Sequence, residues 1–157
     1  MISPPDLVAK LLTHGQLVAT AESCTGGLVA AAITDISGSS AVFDRGFVTY
    51  SNASKIQMLG VPSKLITAHG AVSEAVALAM AQGAIKNSAA TLAIAITGIA
   101  GPLGGSESKP VGLVHFACAT KRGKDWHEKM LFNGDRAIIR AAACEHALQM
   151  LGNALSG

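Results

Sequence analysis

Charge is scarce in this chain. Only 14% of its 157 residues are Asp, Glu, Lys or Arg, where a soluble domain usually carries about a quarter. Half of the residues are apolar, which excludes disorder and predicts that some apolar surface lies in a subunit contact, as in a homo-oligomer. The net charge is +2, and the sole basic cluster, Lys121-Arg122-Gly123-Lys124, reads as a hairpin tip. A nucleic-acid partner held by phosphate electrostatics is therefore not expected. Cysteine is rare too. Cys24, Cys118 and Cys144 are odd in number and far apart, so no disulfide framework follows, which fits a reducing compartment. No basic segment followed by an apolar run opens the chain, so no signal peptide is expected. The longest uncharged stretch, Asn87 to Ser106, is broken in its second half by glycines and Pro102, which excludes a membrane span. The expectation is a soluble cytoplasmic protein, with residues 1–157 forming one domain.

What the sequence does contain is short apolar segments separated by glycine-rich turns. Pro4-Pro5-Asp6 opens a helix to about His14, with Leu7, Val8, Leu11 and Leu12 at helical spacing and Gly15 as its stop. Gln16–Ala21 and Thr91–Thr97 are bounded apolar runs that predict buried strands, and Arg45–Ser51 alternates as a further strand. Leu28–Asp35, Asn52–Leu59, Pro62–His69 and Ser73–Lys86 predict helices, with Asn52 as an N-cap. Val111–Thr120 and Asp125–Phe132 form a hairpin, and a last helix follows Gly134-Asp135. The fold class is α/β, a single three-layer α/β/α domain with a mixed sheet.

Chemistry can sit at four places. Thr20-Ala21-Glu22-Ser23-Cys24-Thr25-Gly26-Gly27 joins a buried strand to a helix, where open α/β sheets bind ligands. Glycines there permit close backbone approach, and free amides at a helix start hold a phosphate or an oxyanion. Ser23, Cys24 and Thr25 are all nucleophile types, although Ser23 or Thr25 could instead simply cap the helix. Tyr50, the only tyrosine, ends a strand five residues before Lys55. No histidine has an evident Asp or Glu partner at useful spacing, and a lysine in a poorly solvated site can serve as the base instead. An exposed helix lysine and an ordinary strand aromatic are the plain alternatives. Thr97-Gly98-Ile99-Ala100-Gly101-Pro102-Leu103-Gly104-Gly105-Ser106 suits a backbone cradle for phosphate or ribose without being a Walker A sequence. Arg136 stands at a helix N-terminus, an unfavourable place for a cation unless an anion or a nearby carboxylate is its partner. The five histidines form no HExxH, and no Cys-x-x-Cys occurs, so no metal site is expected.

Thr-Ala-Glu-Ser-Cys-Thr-Gly-Gly at 20–27, Asp-Ile-Ser-Gly-Ser-Ser at 35–40 and Arg-Gly-Phe-Val-Thr-Tyr-Ser-Asn at 45–52 resemble the CinA C-terminal domain family. So do His-Gly-Ala-Val-Ser-Glu at 69–74, Thr-Gly-Ile-Ala-Gly-Pro at 97–102, Gly-Gly-Ser-x-x-Lys-Pro-Val-Gly at 104–112 and Gly-Asp-Arg at 134–136, so that the likeness runs from about Leu7 to Leu151. The resemblance implies a stand-alone amidase, without the molybdopterin-binding-like domain that some members carry, that converts nicotinamide mononucleotide to nicotinate mononucleotide and ammonia. It further implies Ser23 as nucleophile, Lys55 as its base and Tyr50 in the proton relay, with no cofactor. Thr25, Gly26, Gly27, Ser40, Thr97, Gly98 and Gly101 would contact the pyridine mononucleotide, with Arg136 on its phosphate. The alternative is a non-catalytic nucleotide-binding module linked to competence or the DNA-damage response.

Overall fold

The computed structural model describes residues 1–156. Five strands, β1 (Val18–Glu22), β2 (Phe43–Val48), β3 (Leu92–Gly98), β4 (Leu113–Thr120) and β5 (Asp125–Leu131), form one sheet in the order β2-β1-β3-β4-β5. β1 runs parallel to β2 and β3, whereas β3–β4 and β4–β5 are antiparallel, so the sheet is mixed. The helices α1 (Pro4–Thr13), α2 (Leu28–Thr34) and α6 (Arg136–Ala154) cover one face; α3 (Asn52–Leu59), α4 (Ser63–His69) and α5 (Glu74–Lys86) cover the other. This is the three-layer architecture expected.

Strand alternation divides the core by residue size. Val18, Ile94, Ile96, Phe116 and Cys118 pack under α1, α2 and α6 with Leu7, Leu11, Ile33, Ile139 and Leu151. The opposite face presents Ala19, Ala21, Ala93, Ala95, Ala117 and Ala119 to α5. Such a shallow face brings α5 close to the sheet. At Gly83 of α5 a Cβ would run into the Leu59 carbonyl, so α3 lies directly on the backbone of α5.

Several boundaries move from the sequence expectation. β2 begins at Phe43 and ends at Val48, because the chain turns at Ser51 into a capping box. Ser51, not Asn52, is the N-cap: its hydroxyl accepts from the Ser54 amide, and Ser54 Oγ accepts from the Ser51 amide. Nor does Ser23 or Thr25 cap α2. Gly27 holds the N-cap position in the left-handed region, and the carboxylate of Glu22 accepts from Val29 N at 2.9 Å and Ala30 N at 3.1 Å. His146 does find a carboxylate, Glu128, at 2.8 Å. That pair joins α6 to β5 across eighteen residues of sequence, beyond the reach of a spacing argument.

Candidate active site

β1 lies between β2 and β3. The chain leaves β1 through α2 to one side and, after β2, returns through α3–α5 to the other. A crevice therefore opens beyond the carboxyl end of β1, the place where open α/β sheets take ligands. A cleft of about 280 Å³ occupies it, lined by Ser23 and Cys24 after β1, Tyr50 and Lys55 after β2, and Thr97 to Gly101 at the end of β3 and just beyond it, with Arg136 at the start of α6.

Lys55 is 1% exposed. Its Nζ lies 3.1 Å from Ser23 Oγ and donates to the Thr49 carbonyl at 2.9 Å. Among the described residues no carboxylate pairs with it. Burial in this uncompensated site pushes the amine below the ordinary lysine range, and only the neighbouring Cys24 thiol opposes the shift. A neutral amine has one lone pair and N–H groups to spare, so it can keep the Thr49 carbonyl while accepting the Ser23 hydroxyl proton. Cys24, in contrast, is a thiol that burial raises to about 11 and holds protonated at neutral pH.

The turn after Ser23 is braced from both ends. Ser23 N donates to Ile96 O at 2.9 Å, and Gly26 N donates to Ser23 O at 3.0 Å. That bond takes Gly26 out of the set of free amides, while Cys24 N, Thr25 N and Gly27 N have no acceptor among the described residues. Behind the turn, Arg140 donates from Nε to Cys24 O at 3.0 Å and from Nη2 to Thr25 O at 3.2 Å.

The cleft gathers most of the residues singled out from the sequence. Thr97 is buried, with its hydroxyl donating to Ala71 O at 2.9 Å, and Gly98 and Gly101 line the wall. Arg136 pairs with no carboxylate among the described residues: it donates to Gly101 O at 2.8 Å and to the Tyr50 hydroxyl at 2.8 Å, which bridges the glycine-rich loop to the end of β2. Tyr50 is 62% exposed, at the rim, and has no hydrogen bond to Ser23 or Lys55. Thr25, Gly26 and Gly27 form the turn behind the cleft rather than its lining. Ser40 stands apart. It is exposed on the 3-10 turn Ser39–Ala41 that precedes β2, at the opposite end of the sheet, a strand length of roughly 20 Å away.

Sequence reasoning missed Glu22 and Arg140. Glu22 was inside the quoted motif but reads as polar, and Arg140 lies four residues after Arg136, so that the two share a face of α6.

The architecture and its switch-point cleft define a doubly covered α/β protein with a buried lysine set on a strand-end serine. Residues 4–155 match the family described as "CinA C-terminal domain", and the chain belongs to that family. Among its relatives is the nicotinamide-nucleotide amidohydrolase PncC of Escherichia coli K12, 57% identical, with 90% of this chain and 86% of that protein aligned. A CinA-like protein of Anaeromyxobacter dehalogenans is 51% identical over 96% of this chain but only 37% of its own length. The crystal structure of the competence/damage inducible protein CihA from Agrobacterium tumefaciens superimposes with a TM-score of 0.94 at 50% identity, covering 98% of this chain and 93% of that one.

Proposed function

We propose that this protein hydrolyses nicotinamide mononucleotide to nicotinate mononucleotide and ammonia, with Ser23 as nucleophile and Lys55 as general base. One observation carries the reading: the buried, carboxylate-free Lys55 amine 3.1 Å from Ser23 Oγ. The name of the Escherichia coli relative supports the substrate.

In this mechanism the amide carbon sits about 3 Å from Ser23 Oγ. Neutral Lys55 takes the hydroxyl proton as the Oγ–C bond forms. The oxyanion is received by the unpaired amides of the turn, a donor of this kind being worth about 3 kcal/mol of barrier. Lys55 then gives its proton to the departing nitrogen, the C–N bond breaks and ammonia leaves. Water, deprotonated by Lys55, attacks the resulting ester, and Ser23 leaves as the hydroxyl. The 3.1 Å contact lets the first proton pass directly to Lys55, while the Tyr50 hydroxyl, which accepts from Arg136 at the cleft mouth, keeps its own proton free to donate to the bound substrate. Arg136 uses only part of its five-donor guanidinium on Gly101 and Tyr50, leaving donors for the substrate phosphate. Thr97, Gly98 and Gly101 flank the nucleotide, and remote binding of phosphate and ribose orients the amide.

Ammonia and nicotinate mononucleotide should appear in equal amounts when the purified protein meets the substrate, and EDTA should leave the rate unchanged. Nucleotide binding without turnover would favour the binding-module reading instead. Loss of turnover in EDTA would contradict a base supplied by Lys55 alone.

A further inference from the structure

We propose that Arg140 is a positioning residue for the nucleophile turn: it fixes the two peptide planes after Cys24 and so sets the direction of the amides that receive the oxyanion. The inference rests on the serine-amidase reading above.

Arg140 is half-buried on α6, one turn beyond Arg136, yet its guanidinium meets no carboxylate among the described residues. Both of its hydrogen bonds go to carbonyls of the nucleophile turn, Cys24 O at 3.0 Å and Thr25 O at 3.2 Å. Among the described residues the Cys24 carbonyl has no other partner, whereas Thr25 O also accepts from Leu28 N at 3.0 Å. A trans peptide points its C=O and N–H in opposite directions. With the Cys24 carbonyl drawn to Arg140, the Thr25 N–H is turned away from it. With the Thr25 carbonyl drawn the same way, the Gly26 N–H points to the Ser23 carbonyl it meets at 3.0 Å. Holding that carbonyl in turn directs the Cys24 N–H away from it, as a free donor beside the nucleophile.

The turn is shaped around the guanidinium. Gly26 has a φ of +56, and a Cβ there would come 3.3 Å from Arg140 Nη2, so a bulkier residue would push against the clamp. Without the guanidinium the Cys24 carbonyl loses its sole partner and its peptide plane is free to rotate. Donors accelerate a reaction only when they are aimed before charge develops, so the loss falls on the chemical step rather than on binding.

The test compares parent, Arg140→Ala and Arg140→Lys proteins for kcat and KM on nicotinamide mononucleotide. A second assay follows the rate at which diisopropyl fluorophosphate modifies Ser23. There the Oγ–P bond forms, the P–F bond breaks, fluoride leaves and the hydroxyl proton passes to Lys55, so the nucleophile and its turn are read without the substrate. For Arg140→Ala, kcat should fall about 100-fold with KM within about two-fold, and modification of Ser23 should slow by a similar factor. Methylguanidinium in the buffer should restore part of both rates. A parent-like kcat, or a fall matched by a rise in KM with unchanged modification, would overturn the proposal. If Arg140→Ala does not fold, Arg140→Lys decides: it keeps charge and stem, but its single nitrogen cannot replace the fork across both carbonyls. The same kcat-selective loss is expected there, and a parent-like kcat overturns the proposal. A parent inert towards the nucleotide but modified at Ser23 would sink the substrate reading alone, and the modification rates would still decide on Arg140. A parent inert to both reagents would overturn both.

Discussion

Lys55 places an amine where a hydrocarbon would be cheaper to bury. Its 1% exposure and the absence of a counter-ion among the described residues depress its proton affinity below the ordinary 10.5. The unfolded chain therefore binds a proton that the folded chain resists between the folded pKa and 10.5. Across that window stability rises with pH, and below it the full cost of burying the charge is present. Two outcomes follow. As a general base Lys55 must be neutral, so kcat/KM should climb with pH along a limb whose midpoint falls below the usual lysine range; a limb at the ordinary lysine value would remove Lys55 as the base. Lys55→Met should abolish turnover, yet by calorimetry at neutral pH it should melt no lower than the parent, because it replaces a buried polar amine without a counter-ion by an apolar group on a similar stem. A large drop in Tm would show that the amine serves stability rather than chemistry. At this scale the sequence was least legible. Ser23, Cys24 and Thr25 are equivalent by type; the family resemblance implied Ser23 with Lys55, and the structure sets the Lys55 amine on Ser23 while leaving Cys24 a buried thiol. A lysine on a short polar helix reads as exposed, since nothing local reveals that α3 turns it inward.

Elements, by contrast, were largely legible. The apolar run before Gly98 is β3, and Gly60 and the Ser73 cap bound helices where local chemistry puts them. Misplaced edges came from competing caps: the Ser51–Ser54 box cut β2 short, and the Glu22 carboxylate, reaching past the turn to Val29 N and Ala30 N, took the capping role open to Ser23 and Thr25. The elements also carry the site. α3 rests on α5 at Gly83, where a Cβ would meet the Leu59 carbonyl one turn beyond Lys55. Gly83→Ala should therefore destabilise the protein by about 1–3 kcal/mol through overpacking, read by urea unfolding. It should also lower kcat by shifting α3 and the lysine it carries. Unchanged kcat in a destabilised variant would mean that the Ser23–Lys55 distance is held by something other than this helix contact.

For the whole molecule, thin charge and a +2 net value combine with exposed Leu28, Val48, Leu131 and Ile138. No helix of the described residues is long and apolar enough to cross a membrane. We propose that these exposed side chains meet another copy of the chain, as the sequence expectation of a homo-oligomer has it. Light scattering at micromolar concentration should report more than one chain per particle, and a monomer there would contradict the homo-oligomer. Ser40, quoted in the family resemblance yet remote from the cleft of its own chain, shows where a likeness of motifs outruns the geometry. The central claim is the choice of Ser23 over its neighbours as the reacting atom. Ammonia release from nicotinamide mononucleotide by the parent, Ser23→Ala and Cys24→Ala proteins, assayed side by side, tests it most directly. The account predicts no turnover in Ser23→Ala and near-parent turnover in Cys24→Ala; activity retained in Ser23→Ala and lost in Cys24→Ala would contradict it.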